Sequence, residues 1–328
     1  AYRRITMAQP TNLVDTYDAV NTIKESLEDV IYLITPEDTP FFSKSQKKSI
    51  SNTLHEWNTG SLRSSTLNNA HIEGDDTTSE ARTQSTRLNN STQIFKNSVA
   101  VSDTDTSIDH AGRSGVMAHE MLKVLKEQKL DVEATMFANQ SKNAGNASTA
   151  RKMAGLGSWV TTNVNFVTGG SPSGANPTGD GSDTRTDDGT PTAFTQTKFD
   201  SVMQSVWTNG GSPDTCYLSP FNMTQALGFV GNNNQRANVV ADNERVVNSL
   251  SVYLTPWGQI SFQPSREVRG SDVWIMQSDM WHVGVLRAAK NVPLAKTGDS
   301  ERRQITQELT MICANEAASG LIADNTTS

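Results

Sequence analysis

The chain has 328 residues, 35% of them hydrophobic and only 19% charged, with a formal net charge of −7. That length suffices for one large or two modest domains with a real core. The acidic balance argues against sequence-independent nucleic-acid binding, which needs a basic face, and polar uncharged residues in place of charge favour extended, loop-rich architecture over a helical bundle.

From the N-terminus, Asp18 is placed to cap a helix whose apolar positions Val20, Ile23, Leu27, Val30, Ile31 and Ile34 follow helical spacing, with Pro36 as its stop. A tight PEDTP turn and two aromatics, Phe41 and Phe42, come next. Thr53–Trp57 alternates like a strand, and the alternation returns at Ile94–Val101 with Phe95, Val99 and Val101 on one face. The long polar stretch between them predicts an extended hairpin with little core of its own, which must lie on something to be stable. Ile108–Gln140 predicts a helix of about 20–30 residues, with Met117, Met121, Leu125, Val132 and Met136 as its packing face and Lys123–Glu127 and Lys129–Glu133 as pairs on its polar side. Residues 166–194 are rich in Gly, Ser, Thr, Asp and Pro and read as a surface loop. Helices follow at Gln196–Trp207 and Phe221–Phe229. Strands are expected at Thr215–Leu218, Val252–Leu254, Ile260–Gln263, Val273–Met276, Val283–Arg287 and Gln304–Cys313.

Chemistry-bearing motifs are sparse. The chain lacks a Gly-x-x-x-x-Gly-Lys phosphate loop and a Gly-x-Ser-x-Gly nucleophile elbow. His119-Glu120 begins like a zinc-protease helix, but Lys123 stands where the second ligand is needed. DTRTDDG at Asp183–Gly189 has Arg185 at an oxygen-ligand position of a calcium loop and reads as a solvated acidic loop. His71, Glu73, Asp75 and Asp76 cluster within six residues, and a metal-dependent hydrolase using loop 71–76 is the reading from the enzyme class. His55 and Trp57 share a strand face and read as packing. Cys216 and Cys313 are too few and too far apart for a disulfide framework or a zinc site, and read as free thiols. No apolar run approaches the roughly 18 residues of a membrane span.

Several stretches carry a family resemblance. They are DVIYLITPEDTPFFS (29–43), HEW (55–57), TRLNNSTQIFKNSVAVS (86–102), HAGRSGVMAHEMLKVLKEQKLDVEATMF (110–137), TARKMAGLGSWVTTN (149–163) and VPLAKTGDSERRQITQELTMICANEAASGLI (292–322). In number and order they resemble the major capsid proteins of tailed bacteriophages, the Hong Kong 97 fold, and its SU-ten-like branch in particular. The resemblance implies an α+β fold with an N-terminal arm at 1–50, an E-loop at 51–102 and a P domain with its spine helix at 103–150. It also implies an A domain at 151–269 containing polar loop 166–194, and C-terminal strands at 270–328 returning to the P domain.

The implied function is a self-assembling icosahedral shell of pentamers and hexamers enclosing double-stranded DNA without sequence-specific binding. That implies a virion component assembled in the host cytoplasm, with a portal and with decoration or scaffolding proteins as further partners. It implies no membrane, no cofactor, no metal and no catalytic residue. Apolar groups on the arm and hairpin, Ile31, Ile34, Phe41, Phe42, Trp57, Ile94 and Phe95, are the candidate contacts between subunits. An encapsulin-type compartment shell is the alternative within the same fold.

Overall fold

A computed structural model describes residues 38–63, 65–76, 79, 82–110, 115–230 and 252–327. In chain order it contains α1 (Pro40–Lys44), β1 (Gln46–Ser49), β2 (Leu54–Thr59), β3 (Thr86–Ser91), β4 (Gln93–Ser102), α2 (Asp103–Thr106), α3 (Val116–Phe137) and β5 (Val164–Asn165). Then come α4 (Gln196–Thr208), β6 (Thr215–Leu218), α5 (Pro220–Leu227), β7 (Val252–Thr255), β8 (Gly258–Pro264), β9 (Val273–Met276), β10 (Trp281–Pro293), β11 (Ser300–Cys313) and β12 (Gly320–Ile322). The helix expected over 18–34, with Ile31, Ile34 and Pro36, lies outside the described residues.

Two sheets organise the body. One has the order β1-β10-β11-β4, with β1 parallel to β10 and the other pairs antiparallel; the second has the order β5-β12-β9-β6-β8-β7. The central strands β6 and β9 are buried at every position, which explains why TCYL and VWIM read as apolar runs without alternation. Their two faces feed two different cores. Tyr217, Trp274, Met276 and Leu321 point into one, with the end of α3 and Trp159 and Trp281. Cys216, Leu218, Val273, Ile275 and Ile322 point into the other, beneath Phe199, Val202, Met203 and Val206 of α4. Both cysteines are free and buried, and burial pushes both thiols up.

The spine helix α3 spans 22 residues, about 33 Å at the helical rise. It buries Met121, Val132 and Met136 as expected and half-buries Met117, but Leu125 is exposed. Gln128 takes the buried place instead, because its Nε2 donates to the Phe95 carbonyl of β4 at 2.9 Å. Glu133 is likewise buried and accepts from the chain at Phe41 and Phe42, so it is not the surface partner of Lys129. Lys123 pairs with Glu120 at 3.6 Å.

The expected hairpin is corrected in its second strand. β2 pairs with β3, from Leu54↔Ser91 to Thr59↔Thr86, whereas β4 pairs along its length with β11. Ile94–Val101 alternates because one of its faces covers α3, not because it returns the hairpin.

Candidate functional site

The root of the hairpin is built from polar residues that the body buries. Asn90 Nδ2 donates to the Met311 carbonyl at 2.8 Å, and its Oδ1 accepts from Ala154 N at 2.9 Å. Thr310 Oγ1 donates to the Ser91 carbonyl, and Thr92 Oγ1 donates to Glu308 at 2.7 Å. Glu308 also binds Arg151 and Arg287, at 2.5 and 2.8 Å. A buried carboxylate with three partners meets the condition for a charge to be tolerated out of water. On the other strand the Trp57 indole N–H donates to the Cys313 carbonyl at 2.7 Å, and the ring packs on Trp159 at 5.5 Å.

Beyond this root the chain leaves the body. Every described residue from 60 to 85 is exposed. Leu62, Leu67 and Ile72 have 98%, 105% and 82% of their surface open, so among the described residues nothing covers them. Glu73, Asp75 and Asp76 at the same tip are solvated, and His71 is 3.2 Å from Asn69 Oδ1. Among the described residues no three His, Cys, Asp or Glu side chains come together to hold a metal, and no helix is long and apolar enough to cross a membrane.

The expected subunit contacts therefore divide. Phe41 is 5.3 Å from Phe137 and 5.6 Å from Tyr217 inside the core, and Phe95 is buried beneath α3. Neither has surface left for a neighbour, which corrects that expectation for both. Phe42 is half-buried with Lys47 over its ring, and Trp57 is half-buried against its own body. Ile94 remains exposed at 46%. Leu62, Leu67 and Ile72 are marked in the sequence only as isolated apolar residues in a polar stretch. The buried polar root has only NNST, at the end of β3 and the step into β4, as its trace in the sequence.

Loop 166–194 is anchored, which corrects its reading as a solvated surface loop. Arg185 is fully buried and its Nη2 donates to Asp324 Oδ2 at 3.0 Å, in the segment after β12. Asp188 accepts from the N–H groups of Gly170, Gly174 and Thr190 and donates its own N–H to Asp324. Arg269 joins Asp187 to Asp272, whose carboxyl burial pushes up to about 6 against the pull of Arg269 and Arg185. The residues that mimic a broken calcium loop are thus an ion-pair clasp.

The SU10 major capsid protein family model matches residues 9–326. The chain is 27% identical over 345 aligned positions to the major capsid protein of Escherichia phage Phieco32, covering 96% of this chain and 97% of that one. Among solved structures, that of Microbacterium phage Oxtober96 aligns with a TM-score of 0.62 at 12% identity, covering 94% of this chain and 98% of that one. The SrpI encapsulin complex of Synechococcus elongatus PCC 7942 aligns at 0.57 and 10% identity, covering 96% and 97%; at that identity it shares the fold alone. The two-sheet body, the long spine helix and the exposed hairpin are those of the Hong Kong 97 fold, and the chain belongs to the SU10 major capsid protein family, whose members form the icosahedral head shell of phages.

Proposed function

We propose that the shell grows because each subunit's excursion at 60–85 lies on a neighbouring copy and buries Leu62, Leu67 and Ile72 there. The observation that carries this is their near-complete exposure on a hairpin whose root is fixed by buried bonds. A rigid root aims the excursion outward, and an apolar tip supplies the attraction. At about 1.5–3 kcal/mol per buried large aliphatic side chain, three such groups offer about 5–9 kcal/mol gross, before the ordering cost of association. Weak contacts suffice in a closed lattice, because each added subunit binds several neighbours at once. Ile94 and residues 1–37 provide further contact surface. The arm assigned to 1–50 then divides, since 39–49 fold on the subunit's own body.

Pentamers and hexamers are the closed units this lattice needs, assembled in the host cytoplasm around a portal, with scaffolding or decoration proteins as transient or surface partners. The A domain occupies 151–269 and approaches the capsomer axis. The net charge of −7 lets packaged DNA slide within the shell without adhering, and the protein's role is structural, with no reaction of its own.

The decisive experiment replaces residues 60–85 by a two-residue turn joining Thr59 to Thr86. The expected product folds as a subunit and forms no particles by negative-stain microscopy. Normal shells from this variant would overturn the assignment of the excursion. Deleting residues 1–37 tests the arm separately, without removing core residue Phe41.

A further inference from the structure

The strap at residues 39–49 joins residues 1–37 to the body, and its α1 half is held by an unusual group. Glu133 of α3 is fully buried, and its two carboxylate oxygens accept from Phe41 N at 3.0 Å and Phe42 N at 2.7 Å. Phe41 is wedged beside it, between Phe137 and Tyr217. Lifting the strap would withdraw both donors and open the carboxylate to water. Seating it therefore moves a titratable group from water into the core, where its hydrogen-bond donors among the described residues are two neutral backbone N–H groups.

The charged groups around it sharpen the case. Lys44 of α1 is committed to Asp214 at 2.8 Å. Tyr217 of β6 is neutral, its hydroxyl pushed up by burial and by Glu133 itself. Glu267 adds a like charge, and Lys129, one turn back on α3, is exposed. At the other end of the strap, Lys48 of β1 lies near His55 and His282, whose protonation is disfavoured by burial and then by that lysine. Those two histidines weaken the β1 end on the acid side only, opposite in sign to a buried carboxyl.

We propose that seating of α1 on the spine helix is coupled to uptake of a proton from solvent by Glu133, so that the strap grips more tightly on the acid side of neutrality and loosens on the alkaline side. The sign follows from linkage. Burial raises the carboxyl to about 7 in the seated state, against the opposing pull of the Phe42 and Phe41 N–H groups and with a smaller push from Glu267, while the lifted state keeps the ordinary 4.5. The state with the higher value is favoured as protons are added, and the advantage is lost as pH rises through about 7. Between pH 6 and pH 8 the opening equilibrium should rise about tenfold. This inference goes beyond the shell-forming role and holds for the subunit whether or not particles form.

Hydrogen exchange of assembled particles at pH 6, 7 and 8, corrected for the intrinsic rate, tests it on the peptide covering 40–45. Wild type should show about a tenfold rise in opening, and Glu133→Gln a flat profile. A flat wild-type profile, or the same rise in Glu133→Gln, overturns the proposal. Should Glu133→Gln fail to fold, Glu267→Gln serves, because losing the like charge must shift the transition to lower pH; an unmoved transition overturns the proposal equally. Particle counts from the same samples report separately on assembly.

Discussion

The excursion at residues 60–85 and the loop at residues 166–194 draw on the same amino acids, chiefly Ser, Thr, Asn, Gly and Asp, yet the described residues of the first are all exposed while the second folds against the body. In the second, Arg185 enters the core and finds Asp324, while Asp188 gathers three backbone N–H groups. Glycines let the chain turn close to large rings: Gly181 has φ +78°, and a Cβ there would meet Trp159 at 2.9 Å. In the excursion Gly74 also has a positive φ, +82°, but meets nothing within 4 Å. A polar loop thus becomes structure when distant residues satisfy its charges and donors; without them it is free to serve another molecule.

The sharpest way to break this contrast is Asp324→Asn. Asn tolerates the left-handed backbone of this position, φ 55°, so the change mainly leaves Arg185 buried without its fully buried counter-charge. A loss of about 3–5 kcal/mol is expected in chemical denaturation of the subunit, and under about 1 kcal/mol would mean that other contacts hold the loop. Gly181→Ala should cost about 1–3 kcal/mol, through backbone strain and the clash with Trp159. Gly74→Ala should cost about 1 kcal/mol or less, the backbone part alone. Equal losses at the two glycines would show that the close approach to Trp159 is not what orders the loop.

Trp57→Phe keeps an aromatic ring against Trp159 and removes the bond to Cys313, so about 1 kcal/mol is expected. Its signature is faster exchange at Leu54–Thr59 with the core strands unchanged. The smallest effect on stability belongs to the excursion. Changing Leu62, Leu67 and Ile72 together to Ser should move subunit stability by within about 0.5 kcal/mol while particles vanish from electron micrographs. A destabilised subunit would place these side chains in a core of their own.

Much of the fold was legible because local pattern and burial agree in it. Thr215–Leu218 and Val273–Met276 form strands at the expected positions, and α4 runs one residue past Trp207. The spine helix is where the long uninterrupted pattern put it, although only part of its face packs as read. Leu125 and Gln128 are nearly a turn apart, and apolarity alone favours Leu125; the Phe95 carbonyl, which is close only in three dimensions, draws Gln128 inward. The pairing of β2 differs from the sequence expectation for a related reason. Both Thr86–Ser91 and Ile94–Val101 can form strands, and the stronger apolar alternation belonged to the one claimed by β11.

By itself the sequence determined the long helix, the positions of the strands at 215–218 and 273–276 and, through motif stretches spread over the chain, the capsid family. These rest on contacts near in sequence or on periodicity, which survive in one dimension. The tertiary structure alone decided which aromatics turn inward, which polar loop is clasped and which stays open, and why a glutamate sits in the core of the spine helix. Each of those outcomes depends on whether a partner far along the chain arrives to replace water around a charge, a donor or an apolar face.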